Sequence, residues 1–186
     1  MRAKFPRMTS PRLEITTPRL LLVASNYELI CAEIDDRAHF AELLGAEVPP
    51  DWPPPLNDDN TMHWTRAYHV QYPDAGGWTT WYFLLRQPGR KPLLIGNGGF
   101  KGKRVAEGAC EIGYSVMDAH QRHGYATEVV AALVAWAFND PGVARVVAHT
   151  LPELTASIRV LEKNGFTRSK ETLEEGAIMF ELKRPR

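Results

Sequence analysis

The stretch EIGYSVMDAHQRHGYATE, residues 111–128, decides the fold of this chain. Ile112, Tyr114 and Val116 alternate with small or polar residues, which predicts a β-strand. Beyond Gly124 the apolar residues recur at helical spacing, which predicts an amphipathic helix. A glycine-containing loop between a strand and a helix start leaves several backbone N–H groups unpaired, and such a point attracts anions. The stretch therefore predicts either an anion site or an ordinary strand-to-helix turn.

The elements on either side of this stretch predict a single mixed α/β (α+β) domain. Strands are predicted at 19–23, 78–86, 93–100, 110–117 and 143–150, with a terminal hairpin that pairs 165–170 with 177–182. Helices are predicted from residue 25 or 26 through 34, and at 37–44, 62–72 and 153–164, besides the one that begins near 125. Residues 48–59 contain five prolines and should form an extended loop, because proline has no N–H group to donate.

Composition excludes several classes of protein. The 186 residues include 22 Lys+Arg and 22 Asp+Glu, so the basic surplus that is typical of nucleic-acid binders is missing. The two cysteines, Cys31 and Cys110, lack the spacing of a zinc site or a disulfide framework, and we expect free thiols and no metal. Apolar runs fall short of the ~18 residues of a membrane span. We expect a cytoplasmic protein with neither a nucleic acid nor a membrane as its partner.

The N-terminus predicts a short arm before the domain. Residues 1–12 combine four basic residues with two prolines and offer little apolar surface to bury. We therefore expect a flexible arm over 1–12 and one domain over 13–186.

Four segments, in one order along the chain, carry a family resemblance. They are TPRLLL at 17–22, EIGYSVMDAHQRHGYATEVV at 111–130 with QRHGYA at 121–126 inside it, and ASIRVLEKNGF at 156–166. QRHGYA fits the Q/R-x-x-G-x-G/A pyrophosphate loop of the GNAT acyl-CoA N-acetyltransferases. The other segments resemble the opening, the acceptor strand and helix, and the closing helix and strand of the branch that contains the ribosomal-protein-alanine acetyltransferases.

The resemblance implies the GNAT fold, in which helices flank a mostly antiparallel sheet that splays where acetyl-CoA, the cosubstrate, binds. In the family the strand before the loop bulges, and its backbone bonds to the pantetheine arm. Tyr114, Ser115 and Val116 stand at those positions, and an N–H group near Val116 would stabilise the oxyanion of the reaction. The implied pyrophosphate ligands are the backbone N–H groups of Arg122, His123, Gly124, Tyr125, Ala126 and Thr127.

The implied reaction is direct attack of a primary amine on acetyl-CoA in a ternary complex. The acceptor would be a protein N-terminus or a small amine metabolite. A primary amine must lose a proton before it attacks, so a base is needed. Glu111 is the first candidate because it shares a strand face with Ser115, although it also fits an exposed strand glutamate. Glu33 and Asp35 are alternatives.

The last helix departs from the family pattern. Many members carry a tyrosine there, seven residues after an asparagine, whereas this chain has Leu161 and Leu154. Ser157 remains as a catalytic candidate near the leaving thiol, or as a helix serine bonded to the preceding turn. The departures motivate an alternative function, a non-catalytic acyl-CoA-binding sensor or interaction module. Such folds commonly form homodimers, and the sequence specifies no interface.

The aromatic loop suggests where the acceptor binds. Trp52 should either line the acceptor pocket, together with Glu33 from the helical region of the acceptor side, or cap the core. Trp64 and Trp81 are its candidate companions. The histidines at 39, 63, 69 and 149 show no H-x₃-H pair and are interpreted as ordinary residues.

Overall fold

A computed structural model describes residues 12–54, 57–74, 76–103, 108–169 and 176–185, and these form one eight-stranded sheet with helices. The strands are β1 Glu14–Thr16, β2 Leu20–Ala24, β3 Thr80–Leu85, β4 Leu93–Phe100, β5 Ala109–Val116, β6 Arg145–Thr150, β7 Thr167–Arg168 and β8 Ile178–Lys183. The α-helices are α1 Tyr27–Asp35, α2 Arg37–Leu44, α3 Asp59–Gln71, α4 Tyr125–Ala137 and α5 Thr155–Lys163, and a short 3₁₀ helix spans Asp118–His120. In this part of the chain every helix is too short or too polar to cross a bilayer.

The sheet is antiparallel except at one junction. Its order is β1-β2-β3-β4-β5-β6-β8-β7, and β5 and β6 alone run parallel among the described strands. They pair only from Ala109 with Arg145 to Glu111 with Val147, and then diverge. The predicted sheet, mixed, mostly antiparallel and splayed at one place, is confirmed.

The bulge that the resemblance implied in the strand before the loop is absent from the β4–β5 ladder. Within the described strands β5 pairs with β4 in unbroken register from Ile112 to Val116. The shift in register lies in the β3–β4 ladder, where Phe83 pairs with Gly96 and Leu84 with Leu94, so that Ile95 of β4 is the extra residue. The opening beside β5 therefore results from the divergence of β6, because the ladder on its other edge stays regular.

Two apolar cores cover the two faces of the sheet. Alternate residues of β2 point to opposite faces, so that Leu22 packs with α4 and α5 while Val23 packs with α1 and α2. Cys110 lies in the first core, where burial raises the pKa of its thiol to about 12. Both cysteines are free, as predicted.

Short polar caps set the helix boundaries. Asn26 caps α1 through a bond from the Leu29 N–H group to its side chain, and Asp58 caps α3 in the same way. The Asp58 cap explains why α3 begins before the predicted residue 62. The strand β1 was not predicted. The terminal hairpin is confirmed by the pairing of β7 with β8, and residues 170–175 between them lie outside the described residues.

The predicted arm lies outside the described residues except for Arg12. The Arg12 guanidinium donates hydrogen bonds to the carbonyl groups of Leu43 and Leu44, and its Nε pairs with the Glu14 carboxylate at 2.8 Å.

Candidate active site

A cavity of about 1190 Å³ opens where β5 and β6 diverge. Its wall is formed by α3, β4, β5, the loop before α4, β6 and α5. The lining residues include Asn60, Trp64, Asn97, Tyr114, Ser115, Val116, Arg122, Gly124, Tyr125, Ala126, Thr127, His149, Ser157 and Arg159. Every residue predicted to bind acetyl-CoA except His123 lies on this wall, and so does Ser157.

The loop before α4 lines the cavity at a helix start, where the first backbone N–H groups have no partner within the helix. Gly124, at φ 80°, precedes the helix, and no side chain caps the first turn. Arg122 has a φ of 62°, a left-handed conformation that costs a non-glycine residue roughly 1–2 kcal/mol. Gln121 anchors the loop to β5, because its Nε2 donates to the Val116 carbonyl at 3.0 Å. Free N–H groups at a helix start, beside the cation of Arg122, fit a pyrophosphate group.

A partly exposed ion pair between Arg19 and Glu128 holds this loop from outside the cavity. The Glu128 carboxylate accepts hydrogen bonds from the Thr17 hydroxyl at 2.6 Å and from Arg19 Nε at 2.7 Å. Arg19 also donates to the His123 carbonyl and lies 4.5 Å above the Tyr125 ring. Burial alone would raise the pKa of Glu128, but these hydrogen bonds and the guanidinium charge outweigh it and lower the pKa. The pair fixes α4 and the loop to the N-terminal strands.

Tyr114 joins β5 to α5 across the cavity wall. Its hydroxyl lies 3.1 Å from the Ser157 Oγ and donates to the Ser157 carbonyl at 3.2 Å. Burial raises the pKa of the Tyr114 hydroxyl, and the Ser157 hydrogen bond opposes that rise. The sequence predicted only a backbone role for Tyr114. The structure adds a phenol beside Ser157, on the helix that lacks the tyrosine found in many family members.

Glu111 lies behind the wall rather than on it. Its Oε1 is 2.5 Å from Lys101 Nζ and 3.1 Å from His149 Nδ1, and its side chain is 13% exposed. Lys101 and His149 both line the cavity, whereas Glu111 does not. The carboxylate therefore acts on the cavity through these two neighbours.

A family model described as the acetyltransferase (GNAT) domain matches residues 28–167. The chain belongs to the GNAT acetyltransferase family. It is 26% identical over 162 residues to the uncharacterized N-acetyltransferase YjdG of Bacillus subtilis, covering 86% of this chain and 93% of that protein. The family that the sequence resembles is confirmed, and the chain is an acetyl-CoA-dependent acetyltransferase.

Two solved structures illustrate the shared fold. The ribosomal-protein-S5-alanine acetyltransferase of Vibrio fischeri aligns with a TM-score of 0.57 at 15% identity, over 92% of this chain and 96% of that one. The microcin C7 self-immunity acetyltransferase MccE, in complex with acetyl-CoA and AMP, aligns with a TM-score of 0.58 at 13% identity, over 90% and 94% of the two chains. At these identities the likeness shows the GNAT fold alone.

Trp52 of this GNAT protein, which was expected either to line the acceptor pocket or to cap the core, packs in the core, and Glu33 lies half-buried beside it. Trp52 is 8% exposed and packs beside Phe40 and Tyr82. Its indole N–H donates to Glu33 Oε1 at 3.0 Å, and the same carboxylate accepts from the Tyr82 hydroxyl and the Asn57 amide. Burial raises the pKa of Glu33, and the three hydrogen bonds oppose that rise. A buried indole needs an acceptor, and Glu33 supplies it, so the core-capping alternative is the one observed.

Helix α3 contributes several residues to the cavity wall, and the proline-rich loop contributes Asn57. Trp64 lines the cavity and is partly exposed, while Trp81 is fully buried in the core. Asp35, an alternative base, is exposed and pairs with Arg66 at 3.9 Å, away from the wall.

Sequence reasoning did not place Arg19 and Glu128 beside the loop before α4, nor His149 on the cavity wall. Arg19 lay in a segment that resembles the family, but nothing in the sequence connected it to Glu128, 109 residues away. His149 had a weak signal, because it is a titratable residue in an otherwise largely apolar strand.

Proposed function

We propose that this acetyltransferase transfers the acetyl group of acetyl-CoA to a primary amine by direct attack of the neutral amine, with both substrates bound. One observation carries the proposal. A single cavity connects the N–H-rich loop at 122–127 with the wall near Glu111 and with α3. Such a cavity can hold an anionic cosubstrate and an acceptor side by side, which supplies much of the rate in a two-substrate reaction.

The residues of the cavity support distinct roles. The loop N–H groups and Arg122 bind the pyrophosphate, and the edge of β5 at Tyr114–Val116 binds the pantetheine arm as an added strand would. The paired hydroxyl groups of Tyr114 and Ser157 serve the departing thiol with a hydrogen bond. Glu111 supplies negative charge on the side where the ammonium group of the acceptor must lose its proton.

The acceptor belongs to the class of primary amines, either a protein N-terminus or a small amine metabolite. The fold that this chain shares with a ribosomal-protein-S5-alanine acetyltransferase favours a protein N-terminus. Trp64 and the neutral side chains of α3 on the wall favour an acceptor with apolar or uncharged parts around its amine.

The decisive experiment mixes the purified protein with acetyl-CoA and a panel of amines and N-terminal peptides, and records thiol release and product mass. Acceptor-dependent thiol with an acetylated product supports the proposal. Saturable acetyl-CoA binding without thiol release would instead support the sensor or interaction module. Sedimentation of the same sample tests the homodimer that the family resemblance implies, and fractionation of cells tests the predicted cytoplasmic location.

A further inference from the structure

Three titratable side chains meet at the point where β5 and β6 part. Glu111 is the last residue of β5 that pairs with β6, and His149 lies two residues beyond its partner Val147, on the same strand face. Lys101, just after β4, contacts the same carboxylate oxygen as His149. Glu111 thus pairs with Lys101 and with His149, and the β8 neighbour of His149 is Met179, which carries no charge.

His149 differs from its two neighbours in its bonding. Its side chain is 7% exposed, yet it forms part of the cavity wall. Nδ1 lies 3.1 Å from the Glu111 carboxylate without the alignment of a hydrogen bond, and Nε2 has no hydrogen-bond partner among the described residues. Buried polar groups are normally paired, so an unpaired imidazole nitrogen at a cavity points to a ligand group that completes the pairing.

The chemistry of the corner favours imidazole over carboxylate as the proton acceptor. Glu111 faces two cationic or potentially cationic groups through one oxygen and does not reach the wall. Imidazole is the side chain that most often serves as a general base, because one ring nitrogen can accept a proton while the other donates to a carboxylate. His120, the other histidine on the described wall, lies in the 3₁₀ helix beside the pyrophosphate loop.

We infer that His149 removes the proton from the acceptor amine and that Glu111 holds the resulting imidazolium. The inference rests on the proposed function. The acceptor R–NH₃⁺ gives one proton to His149, and its nitrogen then attacks the thioester carbonyl carbon. The C–S bond breaks, and the thiolate receives the second proton that the nitrogen loses. His149 returns its proton to solvent, so one proton is released for each acetyl group transferred.

The test compares ethylamine with trifluoroethylamine as acceptors, because the fluorinated amine is largely unprotonated at neutral pH and needs no base to remove its first proton. Thiol release is measured across pH for the native protein, His149→Gln, His149→Asn and Glu111→Gln. The control is His39→Gln, since His39 is an exposed histidine of α2. Thermal unfolding and the KM for acetyl-CoA are recorded for each variant, so that misfolding is recognised.

Both His149 variants should lower kcat for ethylamine by about 10²-fold or more, and for trifluoroethylamine by only a few-fold. They should also lose the acid limb of the pH profile, with the KM for acetyl-CoA within about twofold of native. Glu111→Gln should lower kcat less than the His149 variants do. It should also move the acid limb of the pH profile to lower pH, because the imidazolium form of His149 is less favoured without the carboxylate beside it. His39→Gln should behave as native.

Two different results would separate the two proposals. Equal losses with both amines, or native activity in either His149 variant, would overturn the role of His149 and leave acetyl transfer intact. A native protein that binds acetyl-CoA but releases no thiol with any amine would overturn the proposed function, and the inference with it.

Discussion

His69, on α3, is a buried histidine enclosed by hydroxyl groups. Its Nε2 lies 2.9 Å from the Ser25 Oγ and 3.1 Å from the Thr79 Oγ1, and the residue is 5% exposed. Burial lowers the pKa of His69 to about 4, because an imidazolium charge is costly away from water. Neutral His69 is therefore part of the folded state, and its protonation opposes folding.

This burial predicts a loss of stability in acid. The unfolded chain binds the proton at about pH 6.5 and the folded chain only at about 4, so the free energy of unfolding falls as pH drops between these values. The full loss is of the order of 3 kcal/mol. Urea unfolding at several pH values, compared between the native protein and His69→Gln, measures it. The variant should lose less stability in acid, and identical pH slopes would refute the assignment.

The clamp formed by Thr17, Arg19 and Glu128 connects two elements that the sequence separates widely. It fixes β2 to the start of α4, and through the His123 carbonyl it fixes the loop that should hold the pyrophosphate. The side chain of Arg19 is 45% exposed, so screening by solvent limits the contribution of the ion pair to stability. The consequence of the clamp should appear in the binding of acetyl-CoA, which depends on the loop geometry.

Arg19→Lys should raise the KM for acetyl-CoA about tenfold while kcat changes less, because a lysine cannot hold the Glu128 carboxylate and the His123 carbonyl together. Steady-state kinetics with acetyl-CoA varied at a fixed acceptor concentration measure the change. Arg90→Lys, in the exposed turn after β3, is the matched control. Glu128→Gln should raise the KM similarly, and the rise in the double variant should be much smaller than the product of the two single rises. A rise equal to that product would mean that Arg19 and Glu128 act independently and form no clamp.

Leu154 leaves α5 without a side-chain cap. It is the residue before the helix, it accepts no hydrogen bond with its side chain, and it is 42% exposed. Leu154→Asn should stabilise the protein by about 1 kcal/mol, because an asparagine at this position can accept an orphan N–H of the first turn. Chemical denaturation measures the gain. Leu151→Asn, an exposed leucine outside the helix, should give none, and an equal gain from both would point to surface hydrophobicity instead.

Over the whole molecule, local patterns predicted the elements and long-range packing determined the site. Residues 37–44 form the predicted helix, and Gly45 ends it at φ 66°. The signals for this helix and its end lie close together in the sequence, so they could be interpreted without the fold. The partner of Trp52 is Glu33, on a different element, and no periodicity in the chain connects the two. The divergence of β6 from β5 is likewise a property of the assembled sheet. The loop between β5 and α4 could be predicted as a strand-to-helix connection because its signals lie in consecutive residues, whereas His149 needed the sheet to bring it to Glu111.

Only three residue pairs join β5 to β6 in the described part of the chain, and the opening beyond them exists only when both strands are in place. A ligand held in this opening should therefore bind the folded state alone and stabilise the whole domain. Acetyl-CoA at about a hundred times its Kd should raise the free energy of unfolding by about 2.7 kcal/mol. Urea unfolding with and without acetyl-CoA measures the shift, and hydrogen exchange should slow in β6 as well as in β5. Protection confined to β5 would mean that the ligand does not occupy the opening.

Two glycines with similar backbones provide the matched comparison for this shift. Gly124, at φ 80°, lies in the loop before α4, and an added Cβ would lie 3.4 Å from the Arg19 guanidinium. Gly89, at φ 72°, lies in the turn between β3 and β4 with open space around it. Alanine at either position should cost roughly 1 kcal/mol of stability without ligand, since both conformations are left-handed. Only Gly124→Ala should also reduce the stabilisation by acetyl-CoA, because its methyl group adds bulk where the pyrophosphate must approach the backbone. Equal stabilisation of both variants by acetyl-CoA would exclude this loop as the pyrophosphate site.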